Sequence, residues 1–315
     1  MKTLKKQHPS PRKKRGWGVH SAGLISFSRI LIKELKEYGR LRTAERYATV
    51  INSFVRFRSE GEDIPLDRID SGLICEYESY LRAKGICPNS SSYYMRGLRA
   101  IYNRAVEKGL TVQREPFRQV YTGIAKTVKR AVPLSVIRRI KELDLTDTPT
   151  MAFARDIFLF SFYTRGMSFI DIAYLQKKDI NRGVLYYRRQ KTGRQMCVKW
   201  EKQMEDIAAR YCNNGRYVLP IIKDPAGDTR KQYKSALHLI NLRLKKLGES
   251  LGLAMPLTMY VARHAWASIA KSKHIPLSII SEAMGHDSEK TTCIYLSSLD
   301  TSAVDKANNR IINLL

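Results

Sequence analysis

Acidic residues are scarce in this sequence. Its 315 residues hold 29 Asp and Glu against 56 Lys and Arg, a formal charge of +27 at pH 7. A polyanion offsets such a charge far better than small counterions do, so nucleic acid is the leading partner and an anionic membrane surface the rival. The chain also lacks any run of about 18 or more apolar residues, which excludes a membrane-spanning helix. It has no basic amphipathic helix standing apart from a core, which leaves the membrane well behind DNA or RNA. Cysteine is sparse: Cys75, Cys87, Cys197, Cys212 and Cys293 include no CxxC pair and no histidine at zinc spacing, so reduced thiols of a cytoplasmic protein and no metal are expected. No phosphate-cradling GxxxxGK[ST] loop, internal repeat or low-complexity block occurs. What is present is 43% hydrophobic residues, enough for two domains with real cores.

The order of patterns along the chain divides it. Residues 1–20 form a basic tail with Lys2, Lys5, Lys6, Arg12, Lys13, Lys14 and Arg15, read equally as a solubilising segment or a DNA-tracking arm. Residues 21–113 read as four amphipathic helices. In the second, from near Thr43, Tyr47, Val50, Ile51, Phe54 and Phe57 share a face. The third follows Ser71 and stops before Gly85. The fourth runs from Asn89 to Gly109 with Met95, Leu98, Ile101, Tyr102 and Ala105 inward. Arg96, Arg99 and Arg104 lie on its outer face, a solvated stripe or a set of phosphate contacts. Between 114 and 133 the periodicity weakens around Pro116 and Gly123, which predicts a basic linker carrying Lys126, Lys129 and Arg130. Beyond it, helices are expected from about Ser135 and Thr148. A hairpin follows, with strands Val184–Gln190 and Gln195–Trp200 around a turn at Thr192 and Gly193. Helices resume near Glu201, Arg230, Thr258, Pro276, Thr291 and Ser302.

Three stretches of the second half carry chemistry. Lys191 sits at the hairpin tip, where an ammonium is either a solvated surface charge or a proton donor to a leaving oxygen. In YVARHAWASIA, Tyr260, Arg263 and His264 fall within about one helical turn. Arg263 lies among apolar residues and needs an anionic partner, which is a phosphate or a structural carboxylate; His264 reads as a core histidine. In MGHDSEKTTCIYL, Gly285 ends a helix and exposes His286, and Tyr295 follows nine residues later. Thr291 and Thr292 are placed to cap a short helix bearing Tyr295, so His286 and Tyr295 fit one site. Taken alone, Tyr295 reads as a buried tyrosine.

The ordered set KTG, ARHAWA and GHDSEKTTCIY, over roughly residues 134–300, resembles the catalytic domain of the tyrosine recombinases, also called the phage integrase family. The four-helix segment before it resembles that family's core-binding domain. The implied fold is mainly α with a small β-sheet, a helical SAM-like domain followed by a DNA breaking-rejoining catalytic domain at 134–315. The resemblance implies that Tyr295 attacks a DNA phosphodiester, leaving a 3'-phosphotyrosyl link and a free 5'-hydroxyl. Arg263 and His286 would hold the phosphate and Lys191 would protonate the departing oxygen. No cofactor is expected, because the energy of the broken bond is conserved.

Two positions depart from the family pattern. Asp171 and Leu175 fit the register of the helix that usually opens with an arginine, yet the arginine position is Ser168. Arg165 is the preferred substitute, with a structural role at the Gly166 turn as its competitor; Arg194 is the alternative, or else a contact to the DNA backbone. Tyr260 stands where many members have a proton-accepting histidine. It keeps a phosphate hydrogen bond but is a poor base, so His286, water or the DNA itself is expected to assist Tyr295. The implied partners are double-stranded DNA at inverted-repeat-like sites, a homotetramer assembled on two sites, and accessory DNA-bending proteins, in the nucleoid of a bacterial cytoplasm. The C-terminal segment from Ser302 packs on a neighbouring protomer or on its own domain. About twenty residues before the first helix favour a DNA invertase or simple integrase, similar to invertases and mobile-element integrases of anaerobic gut bacteria. The competing readings are a DNA-binding protein with impaired catalysis and a basic RNA-binding protein.

Overall fold

The computed structural model describes residues 23–58, 62–125, 131–212, 214–296 and 312; the side chains of Lys290, Ile294 and Tyr295 are outside that description. The chain forms two compact units, residues 1–127 and 128–315. The basic tail at 1–20, Lys126, Lys129 and Arg130, and nearly all of the segment from Ser302 lie outside the described residues.

The first unit holds helices α1 (Leu24–Glu37), α2 (Leu41–Phe57), α3 (Ser71–Ala83) and α4 (Pro88–Glu107). The face of α2 read from the sequence is the buried one, with Val50, Ile51 and Phe54 almost fully covered, and α4 buries the five residues expected of it. Glycine lets those two helices touch: a Cβ on Gly97 would lie 2.5 Å from a Val50 methyl. Asp63 caps α1 from a distant loop, its carboxylate accepting from Ile25 N at 2.7 Å and Ser26 N at 2.8 Å. Asp70 does the same for α3 through Leu73 N.

The stretch expected as a linker is different. Up to residue 125 it lies on this unit, with Phe117 and Val120 buried in its core and Ser92 Oγ donating to Gly123 O. Irregular backbone can bury two apolar residues without any periodicity to announce it.

In the second unit α5 (Leu134–Glu142), α8 (Lys202–Arg210), α9 (Thr229–Ser250) and α10 (Met259–Ser272) pack around α6 (Pro149–Tyr163). Helix α6 buries consecutive residues from Ile157 to Phe160, the mark of a helix enclosed on all sides. A three-stranded antiparallel sheet has the order β1 (Ile180–Asn181), β2 (Val184–Arg188), β3 (Gln195–Lys199), with Leu185 opposite Val198 and Tyr187 opposite Met196. The expected hairpin is β2 and β3; β1 is two residues long, too short to show alternation. The short helix α7 (Phe169–Ala173) precedes the sheet, and α11 (Leu277–Ala283) and α12 (Glu289–Leu296) close the described unit.

Asp156 on α6 is 1% exposed and is held by three donors: Arg155 Nε at 2.8 Å, Arg210 Nη1 at 2.5 Å and Tyr211 Oη at 2.8 Å. It ties α8 to the central helix. Truncation leaves the largely buried Arg155 charge with only the Leu143 carbonyl, so Asp156→Ala is expected to cost about 3 kcal/mol in urea unfolding, the lower end for one-sided loss of a buried ion pair because Arg210 is half exposed. A loss near the 0.5 kcal/mol or so of an ordinary surface change would contradict this.

Candidate active site

Helix α11 ends in the loop Met284–Gly285–His286, and three guanidiniums bind its three carbonyls. Arg263 Nη2 donates to Met284 O at 2.6 Å, Arg189 Nη1 to Gly285 O, and Arg194 Nη1 to His286 O at 2.6 Å. The end of a helix leaves carbonyls unpaired and carries partial negative charge, which is why cations gather there. These acceptors are neutral, so the bonds fix the arginines in place and leave their charge available.

Arg263, on α10, is 7% exposed, and its Nη1 donates to Gly166 O at 2.7 Å. Gly166 has φ +75°, and a Cβ there would lie 2.9 Å from Arg263 Cα, so only glycine allows this approach. Gly285, at φ +63°, meets the hairpin in the same manner: a Cβ would lie 2.7 Å from Met196 Sδ and 2.8 Å from Arg189 Cδ.

His286 is half-buried, with Nε2 3.2 Å from Arg263 Nη2 and Nδ1 2.8 Å from Thr292 Oγ1. Arginine can only donate, so Nε2 carries the lone pair and the proton sits on Nδ1, directed to Thr292. Burial, followed by the charges of Arg263, Arg189 and Lys191, pushes the imidazole down to about 4, with Asp287 opposing. His286 is therefore neutral at pH 7.

The remaining sequence-predicted residues are distributed around this centre. Lys191 is exposed at the hairpin tip, close enough to bias His286. Ser168 caps no phosphate clamp; it begins α7 and its hydroxyl donates to Asp171, whose other oxygen accepts from Gln190 N at 2.8 Å. That carboxylate anchors the residue beside Lys191. Arg165, at φ +61°, donates to Cys197 O at 3.3 Å on β3 instead of joining the loop. Arg165 and Arg194 line a recess of about 250 Å³ between β3 and α11. Tyr260 is 58% exposed, its ring edge-on to buried His264 at 4.4 Å. Tyr295 lies in α12, which Thr292 and Leu296 dock against α10 and α11. Thr292 is thus no cap: α12 starts at Glu289, and Thr292 is buried against His286.

On α4, Arg96 and Arg99 are half-buried and Arg104 is exposed and 3.6 Å from Glu107. Arg189 went unread in the sequence, although a signal existed. It shares the core-facing parity of Leu185 and Tyr187, and an arginine in that register requires explanation. Among the described residues no group of His, Cys, Asp and Glu is arranged to hold a metal ion, and no helix is long and apolar enough to cross a membrane.

Three arginines thus converge on one loop beside a neutral histidine, one short helix from a tyrosine. Residues 23–122 match the phage integrase SAM-like domain and residues 138–302 the phage integrase family. The chain belongs to the phage integrase family, the tyrosine-type site-specific DNA recombinases. No curated protein matches it. Among solved structures it is similar to a lambda integrase dimer bound to a COC' core site, with a TM-score of 0.66 and 16% identity over 88% of this chain and 77% of that one. A lambda integrase tetramer bound to a Holliday junction gives 0.63 and 16%, over 90% and 80%. The Tn1549 transposon integrase in complex with transposon right end DNA gives 0.62 and 13%, over 92% and 100%.

The depressed His286 makes a stability prediction. Its folded value of about 4 lies below the ordinary 6.5, so between these limits the unfolded chain binds more protons and stability falls as pH drops from about 6.5 to 4. In urea unfolding, His286→Gln is expected to lose less stability than wild type on going from pH 7 to pH 5. Parallel losses in the two proteins would show that His286 is not held neutral.

Proposed function

We propose that the chain cuts and rejoins DNA through Tyr295, whose phenolic oxygen attacks a phosphodiester to form a 3'-phosphotyrosyl link and release a 5'-hydroxyl. The observation that supports this most is the arginine-bound loop at 284–286 beside neutral His286, followed within one helix by Tyr295 in a phage integrase chain. A tyrosine of pKa about 10 is ionised to about 0.1% at pH 7, a penalty near 4 kcal/mol. One guanidinium about 4 Å away is worth roughly 4 kcal/mol at an effective dielectric of 20, so a single well-placed arginine offsets it and a second stabilises the transition state.

Arg263 and Arg189 serve as that pair, holding the non-bridging oxygens. Arg189 replaces the positive charge that Ser168 does not supply, since it is buried, comes from the hairpin that carries Lys191, and points to the same loop as Arg263. Phosphate oxygens are stronger acceptors than carbonyls and draw the free edges of both guanidiniums. Lys191 protonates the departing 5'-oxygen. Tyr260, exposed one turn before Arg263, contacts a phosphate, and Arg165 and Arg194 hold the DNA backbone at the edge of the site. Arg96, Arg99, Arg104, Lys126, Lys129 and Arg130 make sequence-independent backbone contacts.

The substrate is double-stranded DNA with inverted-repeat-like sites, recombined by a homotetramer on two sites with DNA-bending proteins as accessories. The outcome is inversion or simple integration, the latter in keeping with the lambda and Tn1549 integrases among its structural neighbours. The protein works on the bacterial nucleoid.

A duplex selected from a random-sequence pool by binding to the protein, then nicked to trap the intermediate, tests this. Wild type is expected to become covalently attached to DNA and Tyr295→Phe to bind without attachment. Binding without attachment by wild type would instead make the chain a DNA-binding protein with impaired catalysis. With the same duplex, Arg189→Ala is expected to slow attachment by roughly 100-fold or more, the usual cost of one transition-state donor, and Arg165→Ala by far less. The reverse order would return the clamp role to Arg165.

A further inference from the structure

Threonine at position 292 is fully buried, and a buried hydroxyl is costly unless it is bonded. Its partner is the His286 ring, 2.8 Å away. The other ring nitrogen faces Arg263 Nη2 at 3.2 Å. Two groups therefore enforce one tautomer. Once a phosphate draws Arg263 away, only Thr292 continues to do so. Thr292 also stands three residues before Tyr295 on α12, so one bond sets both the imidazole and the seat of the tyrosine's helix against the loop.

We propose that Thr292 is a positioning residue that keeps the Nδ1 proton of His286 on its own hydroxyl and the Nε2 lone pair turned into the site, so that Nε2 receives the phenolic proton as Tyr295 attacks. This rests on Tyr295 being the nucleophile. The tyrosine O–H bond breaks, its proton goes to Nε2 and the oxygen lone pair forms the bond to phosphorus. The bond from phosphorus to the 5'-oxygen then breaks, and that oxygen takes a proton from Lys191. The imidazolium formed donates from Nδ1 to Thr292 and from Nε2 to the phosphate, and returns its proton to Tyr295 on resealing. This supplies the acceptor that Tyr260, exposed and a poor base, does not. The charged groups around the ring are Arg263 from α10, Arg189 and Lys191 from the hairpin, and Asp287 beside it, with Arg194 on its carbonyl. Their balance is positive and, with burial, keeps the ring unprotonated; a phosphate held by the same arginines offsets that charge and raises the ring's affinity for the phenolic proton.

The test pairs Thr292→Val, which keeps the shape and removes the hydroxyl, with Thr292→Ser, which keeps the hydroxyl. In full chains that also carry Tyr295→Phe, bound to the selected duplex so that Arg263 engages phosphate, long-range proton–nitrogen spectra of His286 are expected to show Nδ1 protonated and Nε2 bare with Thr292 and with Thr292→Ser. In Thr292→Val they are expected to show a mixture of tautomers. On the selected nicked duplex, Thr292→Val is expected to slow attachment at least about fivefold, the smallest cost of a buried donor without an acceptor, while Thr292→Ser stays near wild type. The pH profile of attachment in Thr292→Val is also expected to shift relative to wild type. A wild-type spectrum or a wild-type rate in Thr292→Val, or a Thr292→Ser as slow as Thr292→Val, would overturn the proposal. If wild type itself forms no attachment, it is the nucleophile assignment that fails, and the spectra still decide whether Thr292 sets the tautomer.

Discussion

The structure of the second unit turns on the end of one short helix. Three successive carbonyls after α11 would otherwise be unpaired, and each is taken by an arginine from a different place: Arg263 from α10, Arg189 from the approach to the hairpin turn, Arg194 from beyond that turn. The bonds are ordinary; their convergence is what matters. They bring the hairpin, α10 and α11 to one point and concentrate positive charge around a single histidine. They also explain two glycines, since a side chain at Gly166 or Gly285 would collide with the arginines that make the contacts.

The same convergence accounts for the histidine. Burial, and then the cations around it, push the imidazole down to about 4, so His286 is a neutral ring at pH 7. Its two bonds, to Arg263 and Thr292, then select which nitrogen is bare. Ser168 has a place in this setting. Its hydroxyl and Gln190 N both donate to Asp171, whose carboxylate fastens the hairpin that carries Arg189 and Lys191.

Much of this was legible in the residues alone. Helical faces such as Val50, Ile51 and Phe54 on α2 repeat at a period that burial imposes, and the hairpin strands alternate as Leu185, Met196 and Val198 require. The ordered motifs around Lys191, Arg263, His286 and Tyr295 resemble a tyrosine recombinase in the sequence itself. What was hidden depends on contacts far apart in the chain. Arg189 and Gly285 are 96 positions apart, and no local pattern reports a bond between them. Thr292, next to Thr291 ahead of Tyr295, looks like a cap, and only the packing of α12 shows its hydroxyl turned to a histidine six residues back. Phe117 and Val120 sit in irregular backbone, where burial leaves no period.

In the proposed reaction the arginines that bind this loop also hold the reacting phosphate. A duplex whose scissile phosphate is replaced by a neutral methylphosphonate tests it most directly, because the charge that Arg189 would neutralise is then absent. Arg189→Ala, far slower than wild type on the natural phosphate, is expected to attach to the methylphosphonate duplex at about the wild-type rate. An equal lag on both duplexes would contradict it and confine Arg189 to a structural part in the loop.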